Sequence, residues 1–269
     1  MALGAFGLVG LKVTSPNIDA TTSDYMDRYQ AMDLSVLSDY GLDANDQAEL
    51  EALAPQAQVE FGYFLDTVIK DQSDAIRVFS QTQSISQFEL VEGQFPNQPD
   101  QIALASFMRG QYQVGDTIEL SEATSNADLP DKPSLDEEAT ESADLLKAHQ
   151  FTITGFVNSP EIISNMELGP AASGSGTLAG YAVVPATCFD MEAYTIARLR
   201  YQDLRGLPAF SDDYRDRVQD HQADLDTRLA DNGPDRLITL RQEGKEAIQD
   251  GRDEIDQAKE DLAEAKDQL

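Results

Sequence analysis

The strongest constraint on the fold is a seven-residue repeat at the C-terminal end of the sequence. Large apolar residues recur every seven positions, and a small residue follows three positions after each of the first three: Ile248, Ile255, Leu262 and Leu269, with Gly251, Ala258 and Ala265. This pattern is typical of helices that pack along one seam. Because small residues let two helices approach closely, residues 248–269 predict a coiled coil with one close helix partner. A solvated amphipathic helix is the alternative.

A second helical stretch precedes this repeat. One helical face carries Tyr214, Val218, His221, Leu225 and Leu229, and the sequence Asp-Asn-Gly-Pro at 231–234 interrupts the helix. We therefore predict a helical stalk over residues 209–269 that includes the start of the coiled coil. His221 is interpreted as a packing residue of this face rather than as a ligand.

An uncharged apolar run occupies residues 2–11 and is followed by Lys12. A membrane-spanning helix needs about 20 such residues, so the run is too short to cross a bilayer alone. It also lacks the basic flank and the small-residue cleavage site of a signal peptide. We interpret residues 1–12 as the end of a truncated transmembrane helix, with Lys12 at the membrane surface. A short buried helix is the alternative.

The charge of the chain excludes some classes of partner. There are 19 Lys and Arg against 49 Asp and Glu, which gives a formal net charge of −30. Duplex DNA carries about one negative charge per 1.7 Å, so it would repel this surface, and anionic lipids would do the same. The single cysteine, Cys188, excludes an internal disulfide and a cysteine-based metal cage. We predict no nucleic-acid partner.

The middle of the chain alternates between helical and extended patterns. Residues 16–32 and 43–54 are predicted helices, the second capped by Asp43 and ended by Pro55. Residues 33–40 predict a strand, and residues 59–69 and 76–80 predict a hairpin with a polar loop. Because strands and helices alternate early and hairpins follow, the fold class is α+β.

A second unit begins near residue 91. It contains a predicted turn at 93–96, strands near 114–120 and 151–157, and the flexible sequence Ser-Gly-Ser-Gly at 173–176. Residues 122–147 hold many acidic residues and two prolines but few large apolar ones, so they predict an acidic surface loop. Calcium binding is the weaker alternative, because a calcium loop needs a turn glycine that the segment lacks.

No catalytic constellation is found in the sequence. Residues 174–179 fit the expression G-x-G-x-x-A, but they follow a loop and precede a predicted strand, whereas a dinucleotide site needs a helix there. There is no nucleophile elbow and no phosphate-binding loop. His149 and His221 are far apart in sequence, and the acids near Cys188 would raise its pKa rather than activate it. We predict no catalytic, cofactor-binding or metal-binding residues, and therefore no enzyme. A metal-dependent surface enzyme is the weakest alternative.

The series of motifs, in order, resembles the extracytoplasmic region of MacB/FtsX-like ABC transporter permeases, and especially the Gram-positive permeases with long extracellular coiled coils. The residues that carry the resemblance are GLVGLKVTSPN at 7–17, MDLSVLSDYGLD at 32–43, GQFPNQPDQIALA at 93–105, YQVGDTIEL at 112–120, ITGFVNSPE at 153–161 and YAVVP at 181–185. Gln101 departs from the pattern, because an acid is common there.

The resemblance implies a two-lobed core followed by a long helical, coiled-coil segment. A βαβ-type core lobe would comprise residues 13–90 and 178–208, and an inserted β-rich lobe residues 91–177. The implied location is the extracellular face of the cell membrane. The implied partners are the remainder of the permease and its cytoplasmic ATPase subunit.

The implied function is to transmit motion across the membrane or to engage a peptide, lipid or lipoprotein substrate. Recruitment of a cell-wall hydrolase or sensing of an antimicrobial peptide is the alternative.

Overall fold

The computed structural model describes residues 21–122, 145–162, 168–174, 176–209 and 211–267. The predicted membrane-helix end at 1–12, and all but the two flanks of the predicted acidic loop at 122–147, lie outside these residues. The chain divides into two compact units, Met1–Gln222 and Ala223–Leu269, and each is described by itself.

The described residues form four α-helices, three short 3-10 helices and ten strands. The helices are α1 (residues 21–28), α2 (Ala44–Glu51), α3 (Asp212–Arg228) and α4 (Asn232–Asp267). The strands are β1 (Leu34–Leu42), β2 (Ala57–Gly62), β3 (Phe64–Ile69), β4 (Ala75–Ser80), β5 (Glu89–Gly93), β6 (Gln101–Ala105), β7 (Thr117–Ser121), β8 (Gln150–Asn158), β9 (Leu178–Val184) and β10 (Tyr194–Tyr201). This composition confirms the predicted α+β fold class with a long helical segment at the end.

A three-stranded sheet with the order β1-β10-β2 forms one part of the first unit. Both outer strands are antiparallel to β10, so β1, α2 and β2 form a βαβ unit whose two parallel strands flank β10. Helix α2 begins where Asp43 caps it: the Asp43 carboxylate accepts hydrogen bonds from the backbone N–H groups of Asn45 and Asp46. The Asp46 carboxylate in turn accepts a hydrogen bond from the Asp43 N–H, which completes a capping box.

The other seven strands form one mixed sheet with the order β5-β8-β6-β9-β4-β3-β7. Strand β7 pairs with β3 on one side and with the first residues of β8 on the other, so six of the strands close into a barrel and β5 lies beside β8. The closed sheet surrounds a core of fully buried apolar side chains such as Ile76, Ile102, Phe151 and Val183. Closure leaves few unpaired strand edges.

Several local predictions match the described elements, and one long strand does not. The predicted hairpin exists as β3 and β4, which pair antiparallel on either side of the polar loop. However, the predicted strand at 59–69 divides at Tyr63 into β2 and β3, which belong to different sheets. The seven-stranded sheet also contains strands from both of the ranges, 13–90 with 178–208 and 91–177, that the resemblance assigned to separate lobes.

The second unit consists mainly of helix α4. Its large apolar side chains are unusually exposed: 64% for Ile238, 60% for Ile248 and 57% for Ile255. Gly244 and Gly251 lie on open surface, with no atom within 4 Å of where a Cβ would stand. Among the described residues, no helix is long and apolar enough to cross a membrane.

Candidate functional site

A pocket of about 690 Å³ lies in the first unit where α1 and the chain after β10 meet. One wall comes from α1 and residues 31–33, and the other from the end of β10, residues 204–209 and the first turn of α3. Cavities of about 300–1,000 Å³ are usual for small-molecule sites. The pocket therefore has the size of a binding site, and its lining residues form the candidate site.

Asp33 connects the two walls of the pocket. Its Oδ1 accepts a hydrogen bond of 2.8 Å from the Tyr214 hydroxyl, and its Oδ2 accepts one of 2.7 Å from the Tyr201 backbone N–H. The Asp33 N–H donates to the Leu199 carbonyl at 2.9 Å, as an extension of the β1–β10 pairing. One carboxylate thus joins the start of β1, the end of β10 and the start of α3.

Arg200 makes a second connection across the same pocket. Its side chain is only 9% exposed, and its Nη2 donates to the Asp27 carboxylate at 2.6 Å. Its Nη1 donates to the Gln30 side-chain oxygen. Because both partners belong to α1 and its following turn, Arg200 fixes this part of the chain onto β10.

The electrostatics of the pocket follow from burial. Burial raises the pKa of the Asp33 carboxyl, although the hydrogen bonds from Tyr214 and Tyr201 and the charge of Arg200 lower it. Burial and the neighbouring Asp33 charge raise the pKa of the Tyr214 phenol far above its usual value. The phenol therefore stays protonated and donates to Asp33 at all physiological pH values.

The rest of the pocket lining is mostly apolar. Met26, Met32 and Leu207 are half-buried, and Leu204 is buried. The lining also contains the exposed side chains of Asp24 and Arg205, so it carries three carboxylates against two guanidinium groups. The site can therefore bind and orient a ligand.

A buried ion pair links the two sheets. Arg198 of β10 has a fully buried side chain, and its Nε donates to the Glu161 carboxylate at 2.5 Å. Glu161 follows β8 of the other sheet, and its side chain is 7% exposed. The Arg198 guanidinium also lies 5.8 Å from the centre of the Phe79 ring.

Further polar contacts stabilise the same junction between the three-stranded sheet and the barrel. The Glu60 carboxylate of β2 accepts hydrogen bonds of 2.6–2.8 Å from the backbone N–H groups of Gln83, Ser84 and Ile85. The Phe64 N–H donates to the Thr195 hydroxyl at 2.7 Å. Together with Arg198, these contacts hold the three-stranded sheet rigidly against the barrel.

The turn after α1 is also hydrogen-bonded to the loop between β4 and β5. The Gln30 carbonyl accepts from the Ser86 N–H at 2.7 Å, and the Tyr29 carbonyl accepts from the Gln87 N–H at 2.8 Å. The segment that lines the pocket is therefore bonded both to β10 and to the loop before β5.

Sequence reasoning did not single out Asp33, Arg200, Tyr214 or Arg198 as a site. One signal was available: the strand Thr-Ile-Ala-Arg-Leu-Arg-Tyr carries two arginines on one face among apolar neighbours. A buried cation in a strand needs a buried partner. The identity of that partner depends on long-range folding, so the strand alone does not reveal it.

His221, the glycine-rich segment at 174–179 and the acidic side chains occupy positions in the structure that carry no catalytic or metal-binding arrangement among the described residues. The His221 ring stacks on Tyr201 with 3.8 Å between ring centres, and its Nε2 lies 3.0 Å from the Asp203 carboxylate. This is the packed position that its helical face predicted. Residues 176–179 lead into β9 rather than into a helix. Within the described ranges, no group of three His, Cys, Asp or Glu side chains is placed to hold a metal.

Comparison with known proteins does not identify a family or a function for the chain. No model of a known protein family matches the sequence, and no curated protein matches it either. The resemblance to MacB/FtsX-like permeases and the expectation that the chain is not an enzyme both stay predictions.

Cys188 is buried, and we predict that it reacts slowly with thiol reagents. Its side chain is 0% exposed, and burial raises the pKa of the thiol to about 11, with Lys147 lowering it and Asp100 raising it. Burial, rather than the acids next to it in sequence, is thus the main cause. A thiol whose pKa lies two units above normal offers about a hundredfold less thiolate at pH 8.

The measurement is labelling with a disulfide reagent at pH 8, with and without denaturant. We expect rapid, stoichiometric labelling of the denatured chain and labelling at least about a hundredfold slower of the native chain. Equal rates in the two states would show that Cys188 is accessible and would contradict the burial.

Proposed function

We propose that this chain is the extracytoplasmic domain of an ABC transporter permease, held at the extracellular face of the cell membrane. In this role it transmits motion, or engages a peptide, lipid or lipoprotein, outside the membrane. The energy would come from a cytoplasmic ATPase subunit. The proposal starts from the sequence resemblance and is supported by the contacts between the segment before β1 and the segment after β10.

The observation that carries the proposal is that the segment before β1 and the segment after β10 meet at one pocket. Residues 21–33 lie directly before β1, and residues 200–214 run from the end of β10 into α3. The Asp27–Arg200 ion pair of 2.6 Å and the Asp33–Tyr214 hydrogen bond of 2.8 Å hold the two segments together. A domain tethered to a membrane by helices on both sides needs this arrangement, because both tethers must leave from one place.

The same contacts suit the transmission of force. Asp27 and Asp33 precede the three-stranded sheet, and Arg198 and Glu60 link that sheet to the barrel. A displacement of α1 or α3 would therefore move the whole first unit as one body rather than bending a single loop.

The exposed seam of α4 supports a further part of the proposal. Ile248 and Ile255 are more than half exposed, and Gly251 leaves room beside them. We propose that another helix of the permease covers this seam. A cell-wall hydrolase or an antimicrobial peptide as the bound partner is the alternative function.

The test uses the gene at its own locus with a small affinity tag. We expect the tagged protein in carbonate-washed membranes, and we expect an ATPase with a phosphate-binding loop to purify with it in near-equal amount. Recovery of the protein in the soluble fraction without such a subunit would overturn the proposal. Stoichiometric recovery of a cell-wall hydrolase in place of an ATPase would favour the alternative.

A variant pair separates assembly from transmission. Arg200→Met removes the ion pair between β10 and Asp27 of α1. Arg228→Met removes an exposed ion pair within α3, to Asp224. We expect Arg200→Met, but not Arg228→Met, to reduce ATP turnover of the purified complex while both variants still assemble. Equal ATP turnover in both variants would contradict the proposed role of the contact between α1 and β10.

A further inference from the structure

We propose that the pocket between α1 and the end of β10 binds an organic cation that carries an apolar body. This goes beyond the proposed function, because it assigns a ligand class to the pocket whether or not the chain belongs to a permease. Three features of the lining support it: a half-buried carboxylate without a direct ion pair, one more carboxylate than guanidinium groups, and a wall of adaptable apolar side chains.

The Asp33 carboxylate supplies the binding group. Each of its oxygens accepts one hydrogen bond, from Tyr214 or Tyr201, whereas an ionised carboxylate has about four acceptor positions. Among the described residues, no Lys, Arg or His forms an ion pair with Asp33 at 4 Å or less, and the nearby Arg200 is bound to Asp27. The half-buried carboxylate can therefore accept further bonds from an ammonium or guanidinium group.

The balance of charge favours a cation over an anion. Asp24 and Asp27 line the pocket together with Asp33, against Arg200 and Arg205. The net charge of −30 on the whole chain attracts cations towards any cleft in its surface.

The apolar wall determines the rest of the ligand. Met26 and Met32 contribute flexible thioether side chains, and Leu204 and Leu207 add branched ones. Methionine adapts to ligands of different shapes, so it suits a site for a flexible apolar chain. A volume of about 690 Å³ has room for an alkyl or aromatic body of modest size in addition to the charged group.

The probes for the test share one tail and differ in their head group. They are n-octylammonium, octanoate and n-octanol, each added below its micelle concentration to the full chain. Binding is followed by NMR of ¹³C-labelled methionine methyl groups, of which the chain has six. We expect octylammonium to shift the Met26 and Met32 signals and to leave Met108, which is buried in the barrel core, unchanged.

A matched pair of variants tests the role of Asp33. We expect Asp33→Asn to weaken octylammonium binding at least about tenfold, because it removes the partly buried opposite charge, and to leave octanol binding unchanged. Asn can still accept from the Tyr201 N–H and can donate to the Tyr214 oxygen, so the pocket keeps its links. Asp190→Asn removes a carboxylate outside the pocket and should change nothing.

Thermal unfolding shows whether Asp33→Asn is folded. If it is not, Asp24→Asn gives the same comparison at an exposed position of the lining, with an expected weakening of about threefold. The proposal is overturned if octanoate binds as tightly as octylammonium. It is also overturned if the shifts fall outside Met26 and Met32, or if the folded carboxylate variants bind octylammonium as tightly as the unaltered chain.

Discussion

Glu161→Gln should lower the free energy of unfolding of the first unit by about 3–5 kcal/mol, which is the usual cost of breaking a buried ion pair from one side. Glutamine has the same size as glutamate, so the substitution leaves no cavity. It does leave the Arg198 guanidinium, with 0% exposure, without its counter-charge. The Nη1 of Arg198 already has no hydrogen-bond partner, so the guanidinium has little other compensation. The measurement is chemical denaturation followed by circular dichroism.

An exposed ion pair of the same length is the matched control for this prediction. Lys70 Nζ lies 2.5 Å from the Glu119 carboxylate, as Arg198 Nε does from Glu161, but these two side chains are 52% and 41% exposed. Glu119→Gln should therefore cost no more than about 1 kcal/mol. Costs of equal size for the two substitutions would show that burial does not control the strength of these pairs.

The double variant Glu161→Met, Arg198→Met distinguishes the loss of a favourable bond from the exposure of a bare charge. With both charged groups replaced by apolar ones, no charge remains buried, and the stability should return to within about 1–2 kcal/mol of the unaltered chain or exceed it. A double variant as unstable as Glu161→Gln would mean that the pair stabilises the fold through its own attraction.

Local structure was predictable from the sequence wherever it depends on neighbouring residues. Asp43 caps α2 because a carboxylate can reach the first free N–H groups of a helix, and its position before a helical stretch indicates this. The break between α3 and α4 was predicted at 231–234 but lies at 229–231, because Asn232, Gly233 and Pro234 form the first turn of α4, where proline is tolerated. These predictions needed no knowledge of what lies across the fold.

Long-range pairing could not be predicted, and it determines both the barrel and the pocket. Strand β4 pairs in parallel with β9, which lies about a hundred positions later in the chain, and no local pattern specifies that choice. The division of the predicted strand at Tyr63 has the same origin, because β2 and β3 pair with strands of different sheets. Asp33 and Tyr214 meet only after these sheets have formed.

The end of β5, where Gly93 pairs with Gly155 of β8, is the second place where a single substitution should have a large effect. Gly93 has a φ of +76°, and a Cβ at this residue would lie 2.2 Å from the Thr154 carbonyl oxygen and 2.8 Å from the Gly155 Cα. Both contacts are to backbone, which cannot move aside as a flexible side chain can. The Gln94 N–H donates to the same Thr154 carbonyl at 2.9 Å, so a methyl group would also break this hydrogen bond.

Gly93→Ala should therefore lower the free energy of unfolding by about 2–5 kcal/mol, as the sum of left-handed backbone strain and the clash with β8. Gly115→Ala separates the backbone strain from the clash. Gly115 also has a positive φ, of +97°, but no atom lies within 4 Å of the position that a Cβ would take. It should cost only about 1–2 kcal/mol. Chemical denaturation measures both losses, and hydrogen exchange of the β5 amides locates the first of them. If the two variants lose equal stability, the close approach of β5 to β8 contributes nothing, and backbone strain alone explains the glycine at position 93.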